Sequence, residues 1–185
     1  MTDRELLFNI VHQLDAGGDW LDGDKYLTYY WLGRMFRPKI IVEFGVRFGY
    51  SLYALWLGSQ AELLVGYDNE HDHPGSSDYA LKMFKKIKGP DVSLRNQDTQ
   101  QLQALPYRNV DLVHVDAWHT VDGVIHECRL AKGCLSPGGI ILVDDVTGNE
   151  SVRSGANEFC QLWGVTPVLV PTVSGLYIIP TAVGK

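Results

Sequence analysis

Val165-Thr166-Pro167-Val168-Leu169-Val170-Pro171-Thr172-Val173-Ser174-Gly175-Leu176-Tyr177-Ile178-Ile179 holds two apolar runs, 165–170 and 176–179, with only Pro171 to Gly175 between them. A parallel crossover needs a dozen or more connecting residues, so these runs must pair as an antiparallel hairpin. Upstream the pattern differs. Five short apolar runs each end on a carboxylate and are separated by helix-length stretches: Ile40 to Glu43, Leu63 to Asp68, Val92 to Asp98, Val110 to Asp116 and Ile140 to Asp145. Such runs, rich in β-branched residues, read as buried strands of a parallel sheet. Five parallel strand–helix units closed by a reversed hairpin make a three-layer α/β sandwich with a seven-stranded, mostly parallel sheet. In an open sheet of this kind ligands bind beyond the carboxyl ends of the strands. Here that edge is lined with acids.

The spacing predicts strand 39–44 with helix 49–58, strand 62–67 with helix 77–88, and strand 91–95 with a short helix at 98–103. Strand 110–115 leads to helix 120–132, and strand 139–144 to helix 151–163. Two helices come before them. Arg4 to Leu14 carries Leu6, Leu7, Ile10, Val11 and Leu14 at helical spacing and stops at Gly17-Gly18. Asp24 to Phe36 has Leu27, Tyr30, Trp31, Met35 and Phe36 on its apolar side, with Pro38 just beyond. Residues 1–38 thus read as a short helical cap on a single domain spanning 1–185. The polar loop Asn69–Asp78, with His71 and His73, reads as a solvated lid.

A net charge of −6 argues against a nucleic-acid partner, since phosphate binding demands a basic face. Lys82, Lys85, Lys86 and Lys88 are spaced like the wet face of one helix. Cys128, Cys134 and Cys160 show no CxxC spacing and fit small core side chains in a reducing compartment. No apolar stretch approaches ~20 residues, and acids stand near the N-terminus where a signal peptide wants bases. The expectation is a soluble, cytoplasmic protein with no membrane partner.

Glu43-Phe44-Gly45-Val46-Arg47-Phe48-Gly49-Tyr50-Ser51 follows the first strand and opens a helix. Gly45 allows backbone to pass close to a ligand, Gly49 starts the helix, and Ser51 can add a hydroxyl to the free N–H groups there. This stretch resembles motif I of class I S-adenosylmethionine-dependent methyltransferases, acid-x-Gly-x-x-x-Gly. The resemblance extends over about Ile40 to Ile179. Asp68 matches the second-strand acid that grips ribose hydroxyls, Asp98-Thr99 the position near the adenine amino group, and Ser136-Pro137-Gly138-Gly139 the approach to strand five. The terminal hairpin matches the family's sheet, so the fold implied is the Rossmann-like methyltransferase fold. The implied donor contacts are Glu43, Gly45, Gly49, Ser51, Asp68, Asp98, Thr99 and Asp116. On the residues alone, Glu43 could instead cap or pair locally and Asp68 could be a solvated turn acid.

Val113-His114-Val115-Asp116-Ala117-Trp118-His119 and Leu142-Val143-Asp144-Asp145 form the second half of the edge. If strands four and five are neighbours, their ends lie about 5 Å apart. Three carboxylates that close repel and have raised pKa values unless a cation intervenes. An all-oxygen set suits Mg²⁺, Mn²⁺ or Ca²⁺. His119, with an ordinary pKa near ~6.5, suits proton removal. The alternative makes Asp116 a contact for the donor's methionine end, Asp144 and Asp145 helix caps, and His119 a hydrogen-bonded core residue. Asp-x-x-His followed by Asp-Asp resembles the metal-dependent O-methyltransferases that modify antibiotic sugars, a group that includes cephalosporin-hydroxylase-like proteins. That resemblance implies Asp116, Asp144 and Asp145 as metal ligands, His119 as base, and a small-molecule hydroxyl as acceptor. A cap of only ~38 residues implies a homo-oligomer, a dimer or larger, that completes the acceptor pocket.

Overall fold

The computed structural model describes residues 23–86 and 89–181. The helix expected at 4–14, most of the 1–38 cap, and Lys88 lie outside the described residues. The chain runs through α1 (Gly23–Phe36), β1 (Ile40–Phe44), α2 (Tyr50–Ser59), β2 (Leu63–Asp68), α3 (Ser76–Phe84) and β3 (Asp91–Asn96). A single 3₁₀ turn follows (Thr99–Gln101), then β4 (Val110–Val115), α4 (Val121–Cys134), β5 (Leu135–Val143), α5 (Glu150–Trp163), β6 (Val168–Val170) and β7 (Leu176–Pro180). The strand order is β3-β2-β1-β4-β5-β7-β6. β1 to β5 are parallel, while β7 lies antiparallel to both β5 and β6. The sheet is the one the sequence implies.

Four elements differ from expectation. The helix expected at 77–88 ends at Phe84, so Lys85 and Lys86 lie past its end rather than on its wet face. β6 begins after Pro167, which lacks an N–H for the ladder. The helix expected at 98–103 is one turn, because Asp98 caps it by accepting the Gln100 N–H at 2.9 Å and Leu102 returns to extended backbone. β5 reaches back to Leu135, with the pairing to β4 shifted between Val110 and Leu112 so that Ser136 to Gly139 loop out of register.

Alternating side chains feed two cores, one on each face. Val42, Phe44 and Val113 meet Val124, Cys128 and Phe159 of α4 and α5. Ile41 and Leu112 meet Tyr29, Leu52 and Leu55 of α1 and α2. Each such aliphatic or aromatic side chain, fully buried, contributes ~1.5–3 kcal/mol. All three cysteines are buried and unpaired. Helix α2 is apolar nearly all round because the sheet covers one side and α1 the other. A Cβ on Gly33 would run into the Leu55 carbonyl, and one on Gly58 into the Tyr30 carbonyl. Those two glycines let the α1 and α2 backbones touch, and this contact fixes how α1 overhangs the sheet. Among the described residues no helix is long and apolar enough to cross a membrane.

Register aligns the strand ends. Phe44 pairs with Tyr67 and with Val115, Val115 with Val143, and Asp68 with Asn96. The residues that follow each strand therefore share one edge.

Candidate active site

A cavity of about 790 Å³ opens at that edge. Gly45, Asp68 and Asp98 line one part of it, and Asp116, His119 and Asp145 another. Gly45 has φ +82°, and any Cβ there would strike the Asp116 backbone. This glycine lets the turns after β1 and β4 close on each other, which brings the two parts together.

Backbone amides hold the Asp68 and Asp98 carboxylates. Asp68 accepts the Arg47 N–H and the Glu70 N–H, both at 2.6 Å. Arg47 sits at φ +47°, a left-handed conformation that aims its amide at Asp68. Asp98 Oδ1 accepts the Gln100 N–H and, at 3.2 Å, the Trp118 indole N–H. Each carboxylate still faces the cavity and can accept from a ligand hydroxyl or amino group. His71 and His73 stand at the rim of the same cavity, with His71 highly exposed beside Asp72.

Three of the expected donor contacts, Glu43, Gly49 and Ser51, do not line the cavity, and a fourth, Thr99, turns its hydroxyl away from it. Glu43 is fully buried; its Oε1 accepts from Ser51 Oγ at 2.5 Å and lies 2.6 Å from His114 Nδ1. Glu43 therefore pairs locally, the alternative open to the sequence, and Ser51 is its partner. Gly49 packs on Ala80, Met83 and Phe84 of α3, so its missing Cβ makes room for a helix. Thr99 lines the cavity, but its hydroxyl turns inward to Glu127 Oε1 at 2.5 Å. Glu127 is fully buried, and that burial pushes its pKa up to about 7.

At the other end, His119 Nε2 lies 3.1 Å from Asp145 Oδ2 and 4.0 Å from Asp116 Oδ1. The hydrogen bond to Asp145 holds the His119 pKa above its ordinary value, and the same bond pulls Asp145 below the usual carboxylate range. Asp116 is driven the opposite way. Burial, then the nearby Asp144 charge, raise its pKa well above the carboxylate range.

Asp144 is taken up by the protein itself. It is 1% exposed. Oδ1 accepts the Asp145 N–H at 2.8 Å and Ser174 Oγ at 2.9 Å. Oδ2 accepts the Tyr29 hydroxyl at 2.7 Å and pairs with the Lys25 ammonium. Burial alone would lower the Lys25 pKa, but Asp116, Asp144 and Asp145 outweigh it and hold it above its ordinary value. Tyr29 spends its proton on Asp144, so His114 Nε2, 3.0 Å away, donates to the Tyr29 oxygen. With Nδ1 on Glu43, both His114 nitrogens have a partner. Burial opposes a positive charge there, yet Glu43 holds the His114 pKa above its ordinary value. A buried polar chain thus runs from Ser51 through Glu43, His114 and Tyr29 to Asp144.

Asp116, His119 and Asp145 offer atoms that all lie within 4.8 Å of one another, as do those of His114, Asp116 and Asp144. The first set lines the cavity and is carboxylate-rich. A divalent cation suits it. The second is closed by its own hydrogen bonds. Lys25, Tyr29 and Glu127 are the residues that sequence reasoning missed. Lys25 and Tyr29 stand four apart on α1, one helical turn, which is the one hint that they share a face.

A family model described as a methyltransferase domain matches residues 42–146, more than half of the chain. The uncharacterized protein y4gI of Sinorhizobium fredii is 24% identical over 177 residues, covering 90% of this chain. The chain spans about a fifth (19%) of that relative's length. Among solved structures, the O-methyltransferase of Bacillus cereus in complex with SAH superposes with a TM-score of 0.69 at 17% identity, over 97% of this chain and 90% of that one. The SAH-bound methyltransferase PaMTH1 of Podospora anserina gives 0.65 at 21% identity, over 97% and 87%. TomG of Streptomyces achromogenes, an O-methyltransferase involved in tomaymycin synthesis and solved with SAM, gives 0.65 at 16%, over 98% and 90%. At these identities the likeness is one of fold.

Proposed function

The chain belongs to the methyltransferase-domain family, enzymes that use S-adenosylmethionine, and we propose that it moves the methyl group onto a hydroxyl oxygen of a small molecule. One observation supports this reading: a single cavity has amide-held carboxylates at one end and a histidine–carboxylate pair at the other.

Asp68 would accept the ribose hydroxyls and Asp98 the adenine amino group, which leaves the sulfonium over Gly45 and facing Asp116. With Nε2–H donated to Asp145, the Nδ1 lone pair of His119 takes the proton of the acceptor hydroxyl. The acceptor oxygen attacks the methyl carbon in line, the carbon–sulfur bond breaks, and S-adenosylhomocysteine leaves. Asp145 stabilises the imidazolium as it forms, and holding both substrates in line supplies much of the rate. A divalent ion held by Asp116 and Asp145 would stabilise the negative charge developing on the acceptor oxygen.

A second reading has its own observation. Lys25 already brings a positive charge to this cavity, so transfer without a metal is the rival mechanism. Methyl transfer from labelled donor to a panel of phenols, catechols and sugars separates the two. The metal-assisted reading expects O-methyl ether products that vanish in excess EDTA and return with Mg²⁺ or Mn²⁺. Full turnover in EDTA selects the rival, and failure to bind S-adenosylmethionine by calorimetry overturns both.

A further inference from the structure

Asp144-Asp145 looks in the sequence like a pair of equivalent ligands, yet the fold treats its members oppositely. Asp145 lines the cavity and Asp144 does not. Each Asp144 oxygen already has two donors: the Asp145 N–H and Ser174 on Oδ1, Tyr29 and Lys25 on Oδ2. Three of these donors are neutral. Only Lys25 brings charge, and its side chain keeps 15% exposure where α1 overhangs the cavity.

We propose that Lys25 is the resident counter-ion of the acidic site: its ammonium keeps Asp144 out of the ligand set, so a divalent ion is held by Asp116 and Asp145 alone and binds weakly. The proposal rests on the reading of those two residues as the ion's ligands. Charge favours this division. Asp116, Asp144 and Asp145 bring three negative charges, which one ammonium and one divalent ion balance with His119 neutral and free to take a proton. Without Lys25, the ion would gain a third carboxylate and lose a like-charged neighbour. Tighter binding follows from both changes, since ligand charge count sets affinity for hard cations.

The test is Mn²⁺ binding by electron paramagnetic resonance on the full chain, with no turnover needed. Lys25→Met is expected to bind Mn²⁺ at least tenfold more tightly than the wild type. Asp144→Asn in the wild-type background is expected to leave the Kd within threefold, and in the Lys25→Met background to erase the gain. Equal or weaker binding by Lys25→Met overturns the resident counter-ion while leaving the metal reading intact. A tenfold loss on Asp144→Asn in the wild-type background overturns it too, and needs no Lys25 variant to fold. Absence of Mn²⁺ binding in every variant removes the metal reading and this inference with it.

Discussion

Asp68 and Asp98 at one end of the cavity are held by backbone N–H groups and an indole, whereas Asp116 and Asp145 at the other, with the buried Asp144 beside them, meet Lys25 and His119. Amides carry no net charge and do not titrate, so the first end is set by chain geometry alone. The second depends on charges brought from α1, the turn after β4 and the turn after β5. Its state shifts with protons, cations and the docking of a helix. On the proposed reading, the donor end is a fixed seat and the acceptor end an adjustable one.

Substitutions should separate the two ends. His119→Ala is expected to lower kcat by ~10²–10⁴, the usual worth of a positioned general base. Its Kd for S-adenosylhomocysteine, measured by calorimetry, should stay within about threefold. An equal loss in both quantities would break the division between the ends.

Glu127 tests whether the wall behind the donor end behaves as a proton-holding buried element. In the folded chain its pKa stands at about 7 against an ordinary 4.5, so between those values the folded protein keeps a proton that the unfolded chain has lost. Stability should therefore fall as pH rises from 4.5 to 7 and level off above, by at most roughly 3 kcal/mol from this group. Urea melts across that range read the slope, and Glu127→Gln should flatten it. The same slope in both proteins would place the titration elsewhere.

Asp68→Ala should weaken donor binding by ~10–100-fold, the effect of losing hydrogen bonds to a charged acceptor, with kcat at saturating donor much less affected. Loss of kcat alone would move Asp68 out of the donor end. Gly49→Ala is the smallest change. Its left-handed backbone and its contact with Ala80 predict a loss of ~1–3 kcal/mol in thermal stability with donor Kd unchanged.

Much of this architecture is readable from local pattern. Runs such as Ile140 to Val143 announce buried strands, the five residues from Pro171 to Gly175 force a hairpin, and acids just after strand ends must gather at one edge. Asp68, Asp98, Asp116, His119 and Asp145 come together for that reason. What stays hidden depends on docking. Lys25 and Tyr29 reach Asp144 only because Gly33 and Gly58 let α1 lie directly on α2. Nothing near position 25 tells the reader where that helix will sit. Glu43 misled for a related reason: an acid at a strand's end reads as exposed, but His114 on the neighbouring strand pairs beside it and draws it inward.

If the donor and acceptor ends lie along one cavity in a fixed direction, a crystal structure with S-adenosylhomocysteine will show it. The expected density has ribose hydroxyls on Asp68, adenine beside Asp98, and sulfur pointing toward Asp116 and His119. Adenine seated against Lys25 and His119, or ligand bound outside the cavity, would rule out that arrangement.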